Sequence, residues 1–426
     1  MPGQECEVSG LMKILMLSTF DARGGAAIAA HRLHTGLRNL GIDSRMLVQD
    51  KGGDDPFVTG PPTPLRRALS AFRPMFDSLP LRFYPERQRI TFSSAMLPDR
   101  ISREIDKMNP LIVHLHWIAA GFLRIETLAK LGRPFVWTLH DSWTFTGGCH
   151  LPFDCLRYRE DCGACPTLGS SRQQDLSHRI WKRKRKAWEN LDLTVIAPST
   201  WMAECARSSS LFRNTRIEVI PNGLDMNRFR PLDQGTARDF LSLPRDKKLI
   251  LFGGVHAASD PNKGFHYLTE ALGELSSRGW GEKADVLVFG SPEPEKDPGF
   301  GMKGHYLGHV HDDVTLSLLY SAADVFVAPS IQETLCNTVM EAAACGTPSV
   351  AFATSGLLDV IEHGKTGYLA KPFVPDDLAR GIEWILTDNE QRRNLSAAAR
   401  NKLVSEFALE QVARRHAEMY RGILIQ

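Results

Sequence analysis

Short, unbroken apolar runs alternate with amphipathic stretches along almost the whole chain. The first run, Lys13-Ile14-Leu15-Met16-Leu17-Ser18, shows no polar alternation. It predicts a strand buried on both faces, as in a parallel sheet. Arg23-Gly24-Gly25 follows as a turn, and Ala26–Leu40 has helical spacing with Gly41 as its stop. Further strand-like runs come at Ser44–Val48, Leu111–Trp117, Phe135–His140, Thr194–Pro198 and Ile217–Pro221. Helical stretches between several of them predict a doubly wound α/β domain. A second series opens at Lys248–Gly254 and continues through Asp285–Gly290, His305–Gly308, Val325–Pro329 and Ser349–Phe352. Between the two series, Asn222–Leu243 carries Pro231 and Gly235 and is the predicted linker.

Length agrees with this division, because 426 residues are too many for one ordinary core. Hydrophobic residues make up 43% and charged residues 23%, the balance of a soluble globular protein. A net charge of +2 gives no nucleic-acid signature. No apolar run approaches the roughly 18–20 residues that span a bilayer. Met1–Gly10 carries Glu5 and Glu7 and lacks a basic-then-apolar signal pattern, so it reads as a disordered leader. Eight cysteines without such a signal point to a reducing, cytoplasmic setting, where metal ligation or free thiols are expected before disulfides.

The densest chemistry lies in Gln332-Glu333-Thr334-Leu335-Cys336-Asn337-Thr338-Val339-Met340-Glu341, continuing through Ala-Ala-Ala-Cys-Gly346-Thr-Pro348. It follows the run Val325–Pro329 and reads as a loop and then a short helix ending at Gly346. A strand, a turn and a helix N-terminus form an anion site, because free amides and the helix dipole point at the turn. Carboxylates on either side suit a hydroxyl-rich ligand, since each accepts hydrogen bonds from sugar hydroxyls.

This stretch resembles the E-x7-E signature of family 4 retaining glycosyltransferases with the GT-B fold. The resemblance implies two doubly wound Rossmann-like domains facing across a cleft: an acceptor-side domain over 1–230, a nucleotide-sugar domain over 231–408, and a last helix over 409–426 crossing back to the first. It implies that Glu341 holds the ribose of a nucleotide sugar, that Glu333 lies by the donor sugar, and that the amides of Leu335, Cys336, Asn337 and Thr338 bind pyrophosphate. Lys263, in Asn262-Lys263-Gly264-Phe265, resembles the lysine of the family's Lys-Gly step, which binds the donor diphosphate. Gly24 and Gly25 resemble the glycine loop facing diphosphate and acceptor. His140, ending a strand, matches a family histidine near the donor sugar, where it would orient the sugar or stabilise developing charge. One departure stands out. The family places an Arg shortly after the first strand of the second domain, whereas this chain reads Gly253-Gly254-Val255.

Histidines 114 and 116 alternate on another strand and share one face. For His114 a satisfied core position is the expected reading, while His116 is open between core and site. Cys149, Cys155, Cys162 and Cys165 fall within one short segment ending in Cys-Gly-Ala-Cys. Their spacing suits a structural four-thiolate zinc site first and reduced free thiols next, with disulfide or iron–sulfur as lesser readings. Similar cysteine insertions occur in a subset of the resembled transferases. No cofactor is expected for catalysis, because a four-thiolate zinc has no open position.

Two segments mix basic and aromatic residues. Trp181 and Trp188 flank the basic run Lys182–Lys186, and Leu65–Tyr84 carries Arg66, Arg67, Arg73 and Arg82 among apolar side chains. Such segments fit an anionic membrane surface or an ordinary solvated helix face. The expected partners are therefore a nucleotide-sugar donor, a saccharide or lipid-linked saccharide acceptor of surface polysaccharide synthesis, and the inner face of the plasma membrane. Two rivals remain: a GT-B sugar-nucleotide epimerase or phosphorylase, or a non-catalytic binding protein.

Overall fold

In the computed structural model, which describes residues 12–310 and 312–425, the apolar runs become two wholly parallel sheets. The predicted leader, Met1–Gly10, lies outside the described residues. The first sheet is built from β1 (Lys13–Phe20), β2 (Asp43–Asp50), β3 (Val58–Thr59), β4 (Ile112–Leu115), β5 (Phe135–Thr138), β6 (Leu193–Ala197) and β7 (Arg216–Val219). Its order is β3-β2-β1-β4-β5-β6-β7. The second contains β8 (Lys248–Gly253), β9 (Ala284–Phe289), β10 (Gly304–Tyr306), β11 (Val325–Ala328), β12 (Ser349–Phe352) and β13 (Gly367–Ala370). Its order is β10-β9-β8-β11-β12-β13. The fold is α/β with two doubly wound Rossmann-like units.

Alternation within each strand explains the unbroken apolar runs. In the first sheet Leu15, Leu17, Val113 and Trp137 point into one core, while Ile14, Met16, Ile112 and Val136 point into another. In the second, Leu249 and Leu251 face one layer, and Ile250 and Phe252 the other. Both faces are covered, so the strands are apolar on both sides apart from a few buried polar positions such as His114 and Asp285. Strands β3 and β13 escaped the sequence reading. The first has two residues, and the second opens on a glycine and is only partly buried.

Contacts divide the chain at Gly223–Leu224, ahead of the expected boundary at 230, and again at Leu409–Glu410. The physical reason is the anchoring of the connecting segment. Leu224 and Phe229 are fully buried in the second unit's core. The Arg400 guanidinium donates to Met226 O at 3.0 Å and to Ala344 O at 2.7 Å, pinning the segment to that unit. The last helix, Leu409–Ile425, belongs to the first unit from Glu410 onward. Its Val412, Ala413, Ala417 and Tyr420 complete the layer that Ile14, Met16 and Leu37 begin.

Each sheet reverses its strand order once. In the first the reversal falls between β1 and β4, and in the second between β8 and β11. Loops leaving the carboxyl ends at such a reversal diverge and leave a crevice for ligand.

Candidate functional site

The second unit's reversal brings together the loop after β8, which carries Lys263, and the loop after β11, which carries Glu333. Lys263 Nζ donates to Glu333 Oε1 at 2.6 Å, with both side chains largely buried. Burial by itself pulls the lysine pKa down, but the Glu333 carboxylate outweighs it, and the net shift is upward. The ammonium is therefore a permanent charge at neutral pH. It has three N–H donors, so one bond to Glu333 leaves it able to bind phosphate oxygens as well.

Asn262 holds the two loops in register. Its side-chain amide donates to Gln332 O at 2.8 Å, its Oδ1 accepts from Gln332 N at 3.1 Å, and its O accepts from Ile331 N at 2.8 Å. Gly264 allows the close approach. At φ +68 it packs against the other loop so tightly that a Cβ would sit 1.9 Å from Pro329 O. A third loop, after β12, closes on the same place. Ser355 Oγ accepts from Glu333 N at 2.9 Å, and Glu333 O accepts from Gly356 N at 2.9 Å.

The helix Asn337–Ala344 starts from Cys336, whose φ of +63 turns the chain sharply, and no side chain caps it. That start lies just after the carboxyl end of β11, where the positive end of a helix dipole favours an anion. Leu335 is buried in the core and anchors the turn. Thr338 stands opposite the end of β8, where a Cβ on Gly254 would lie 3.9 Å from its methyl. Cys336 Sγ lies 3.4 Å from Thr338 Oγ1. Burial first, then Glu333, pushes the Cys336 thiol up to about 12, so it stays protonated. Gly346, at φ +79, ends the helix as its spacing predicts.

Glu341 lies one turn into that helix and is 5% exposed. Tyr320 donates its hydroxyl to Glu341 Oε2 at 2.9 Å. Burial, followed by the Glu341 charge, holds the phenol pKa well above its usual value, so Tyr320 remains a donor and orients the carboxylate. Asn262, Tyr320 and Ser355 were not found from sequence. Only the position of Asn262 beside Lys263 offered a signal. Where the resembled family has its Arg, the loop after β8 presents exposed Val255 and His256 instead.

In the first unit, Gly24 and Gly25 occupy the turn after β1, at that sheet's own reversal. Gly24 sits at φ +81 as the helix N-cap, and a Cβ there would meet nothing within 4 Å. His140 follows β5, and its Nε2 lies 2.9 Å from His116 Nδ1. Burial lowers the His140 pKa to about 4. The imidazole is therefore neutral at neutral pH. His114 is a satisfied core residue, bonded to Tyr420 Oη at 2.6 Å and Thr138 Oγ1 at 2.8 Å. His116 is buried beside it.

Cys149, Cys155, Cys162 and Cys165 line one small cavity, but no three His, Cys, Asp or Glu among the described residues are grouped to hold a metal ion. Burial raises the thiol pKa of Cys149, Cys165 and Cys162, the last to about 12. None of the four is disulfide-bonded. The neighbouring basic helix, Leu176–Trp188, takes the second of its two readings, an ordinary solvated helix face. Trp181 and Trp188 are buried and donate inward, to Ser210 Oγ at 2.9 Å and Ile125 O at 3.0 Å. Lys184 is buried between the carbonyls of Trp143 and Thr146, and Arg183 pairs with Glu126 at 2.7 Å. This helix does not offer its tryptophans to a membrane.

The family model described as Glycosyltransferase Family 4 matches residues 23–228, and that described as Glycosyl transferases group 1 matches residues 233–402. Between them they take in most of the chain, one per unit. The chain belongs to the GT-B glycosyltransferases of family 4. An uncharacterised glycosyltransferase of Methanocaldococcus jannaschii is 26% identical over 335 residues, 73% of this chain and 82% of its own length. Among solved structures, the sucrose-phosphate synthase of Thermosynechococcus elongatus aligns with a TM-score of 0.70 at 21% identity, covering 97% of this chain and 99% of its own. Anabaena HepE, solved with UDP and glucose, aligns at 0.65 and 17% identity over 96% and 99%. Likeness at these identities shows the fold.

Proposed function

We propose that this GT-B glycosyltransferase transfers a sugar, with retention of anomeric configuration, from a nucleoside diphosphate sugar to a hydroxyl of a lipid-linked saccharide. The observation that carries the donor reading is the Lys263–Glu333 pair at 2.6 Å, set at the second sheet's reversal beside an uncapped helix N-terminus. A fixed cation and oriented amides are what a departing diphosphate requires, because charge grows on its oxygens as the anomeric bond breaks. HepE, which shares the fold, was solved with UDP and glucose, in keeping with such a donor.

The steps follow from these groups. The nucleoside diphosphate leaves with the electron pair of the anomeric C–O bond. Lys263 and the amides of Leu335–Thr338 stabilise it. Glu333, held by its bond from Lys263, would face the donor sugar. The acceptor oxygen bonds to the anomeric carbon on the face the phosphate leaves, and its proton passes to a phosphate oxygen. Glu341, oriented by Tyr320, accepts hydrogen bonds from the ribose.

Screening a nucleotide-sugar panel by thermal shift tests the donor reading. One or more donors should raise the parent's Tm. Glu341→Ala should weaken the tightest of them by about 1.5–3 kcal/mol, the worth of a charged hydrogen bond. A panel without any shift, or equal affinity for parent and mutant, would remove Glu341 from the donor site.

A further inference from the structure

The helix Pro64–Asp77 and the short turn Leu79–Phe83 after it present themselves inside out. Polar groups make the inward contacts. Arg73 donates from Nε to Gly121 O at 2.6 Å and from Nη2 to Pro98 O at 2.8 Å. Asp77, one turn later and buried, accepts from Ser94 N at 3.2 Å and from Ser94 Oγ at 2.8 Å. The apolar side chains face outward. Leu65, Leu69, Phe72, Phe76, Leu79 and Phe83 are all exposed, from 37% at Leu79 to 85% at Phe83. Successive members are four or three residues apart, which is the spacing of a single helical stripe. Single exposed leucines are ordinary on protein surfaces, but a continuous stripe marks a surface that meets a partner.

Charge selects the partner. Arg66, Arg67 and Arg82 are exposed beside the stripe, and the one acid between residues 61 and 85 is the buried Asp77. Two copies of this chain facing each other through the stripe would oppose arginine to arginine. An anionic lipid surface satisfies both components, since the acyl boundary takes the apolar side chains and lipid phosphates take the guanidinium groups. The other basic–aromatic segment, at Leu176–Trp188, lacks the apolar component because its tryptophans are buried.

We infer that Pro64–Phe83 is the membrane-docking element of this protein and lies in the headgroup plane of an anionic bilayer. This deepens the lipid-linked acceptor of the proposed function by naming the surface that brings the first unit to it. Attraction of this kind is screened by salt over about 10 Å at 0.1 M, so docking is salt-sensitive while the apolar stripe sets its depth.

The test mixes the full chain with vesicles of phosphatidylcholine alone or of phosphatidylcholine with phosphatidylglycerol. The parent should sediment with the mixed vesicles at low salt, be released at high salt, and stay in solution with phosphatidylcholine. Replacing Leu69, Phe72 and Phe83 together by Ser should weaken sedimentation at least about tenfold, because three apolar anchors are lost. The donor-induced Tm shift should be unchanged, which separates this result from the fate of the donor reading. Replacing Lys182, Arg185 and Lys186 by Gln should leave sedimentation at the parent level. A Phe83→Trp variant gives a second readout, since its emission should shift to the blue on mixed vesicles relative to the parent's. Absence of parental binding, equal binding by the triple Ser variant, or no blue shift would overturn the inference. So would sedimentation velocity showing a parental dimer that the triple variant abolishes, which would make the stripe a contact between copies.

Discussion

Lys263→Ala is expected to lower nucleoside diphosphate release from the donor by about 10²–10³-fold, the usual cost of removing one preorganised partner of a developing oxyanion. The same substitution leaves Glu333, 14% exposed at its side chain, without its cation. A buried carboxylate that loses its partner destabilises a fold by itself, so the single variant mixes two effects. The double variant Lys263→Ala with Glu333→Gln separates them. It should regain stability, because the unpaired charge is gone, and should remain as slow as the single variant. Urea denaturation and steady-state release, measured on all three proteins, check this. If the double variant turns over like the parent, Lys263 serves only the packing of its loop.

The second large effect is acid instability of the first unit. His34, His114, His116, His140 and His416 are all held neutral, chiefly by burial. The pKa of His34 and of His416 is lowered from 6.5 to about 4. Asp55, 3.6 Å from His34 Nε2, opposes part of the shift, and Arg415 reinforces that of His416. Because the folded values lie below the unfolded ones, the unfolded chain takes up protons first as the pH falls. The stabilisation is complete above about pH 6.5 and is lost as the pH drops towards about 4. Each of these two histidines contributes on the order of 3 kcal/mol across that window. Trp137, Trp143, Trp181 and Trp188 lie in this unit's core, so their fluorescence follows its unfolding. The urea midpoint should fall steeply between pH 7 and pH 5. A flat midpoint over that range would mean that these imidazoles are solvated.

What could be read from sequence follows from the range of the forces involved. Parallel strands covered on both faces require continuous apolar runs, and those runs located most of the sheet. The Glu333–Glu341 stretch was legible because its strand, turn and helix signals are adjacent in the chain. Tyr320 was not, because its partner Glu341 lies 21 residues away on another helix. Asn262 joins loops 70 residues apart, a contact set by strand order rather than by local pattern. The basic run around Lys184 stayed open between two readings for a related reason. Two tryptophans seven residues apart share a helix face whether that face meets lipid or core, and only the carbonyls of Trp143 and Thr146 decide which. The cysteine spacing likewise fixes which thiols can meet but not whether they meet in ligand geometry.

The central claim is retaining transfer from a nucleoside diphosphate sugar, and proton NMR of donor turnover without acceptor tests it most directly. Glycosyltransferases that exclude water imperfectly hydrolyse their donor slowly. The expected result is release of nucleoside diphosphate together with a free sugar whose first-formed anomer keeps the donor's configuration, before mutarotation. No release from any nucleotide sugar that binds, or a first-formed anomer of inverted configuration, would contradict it.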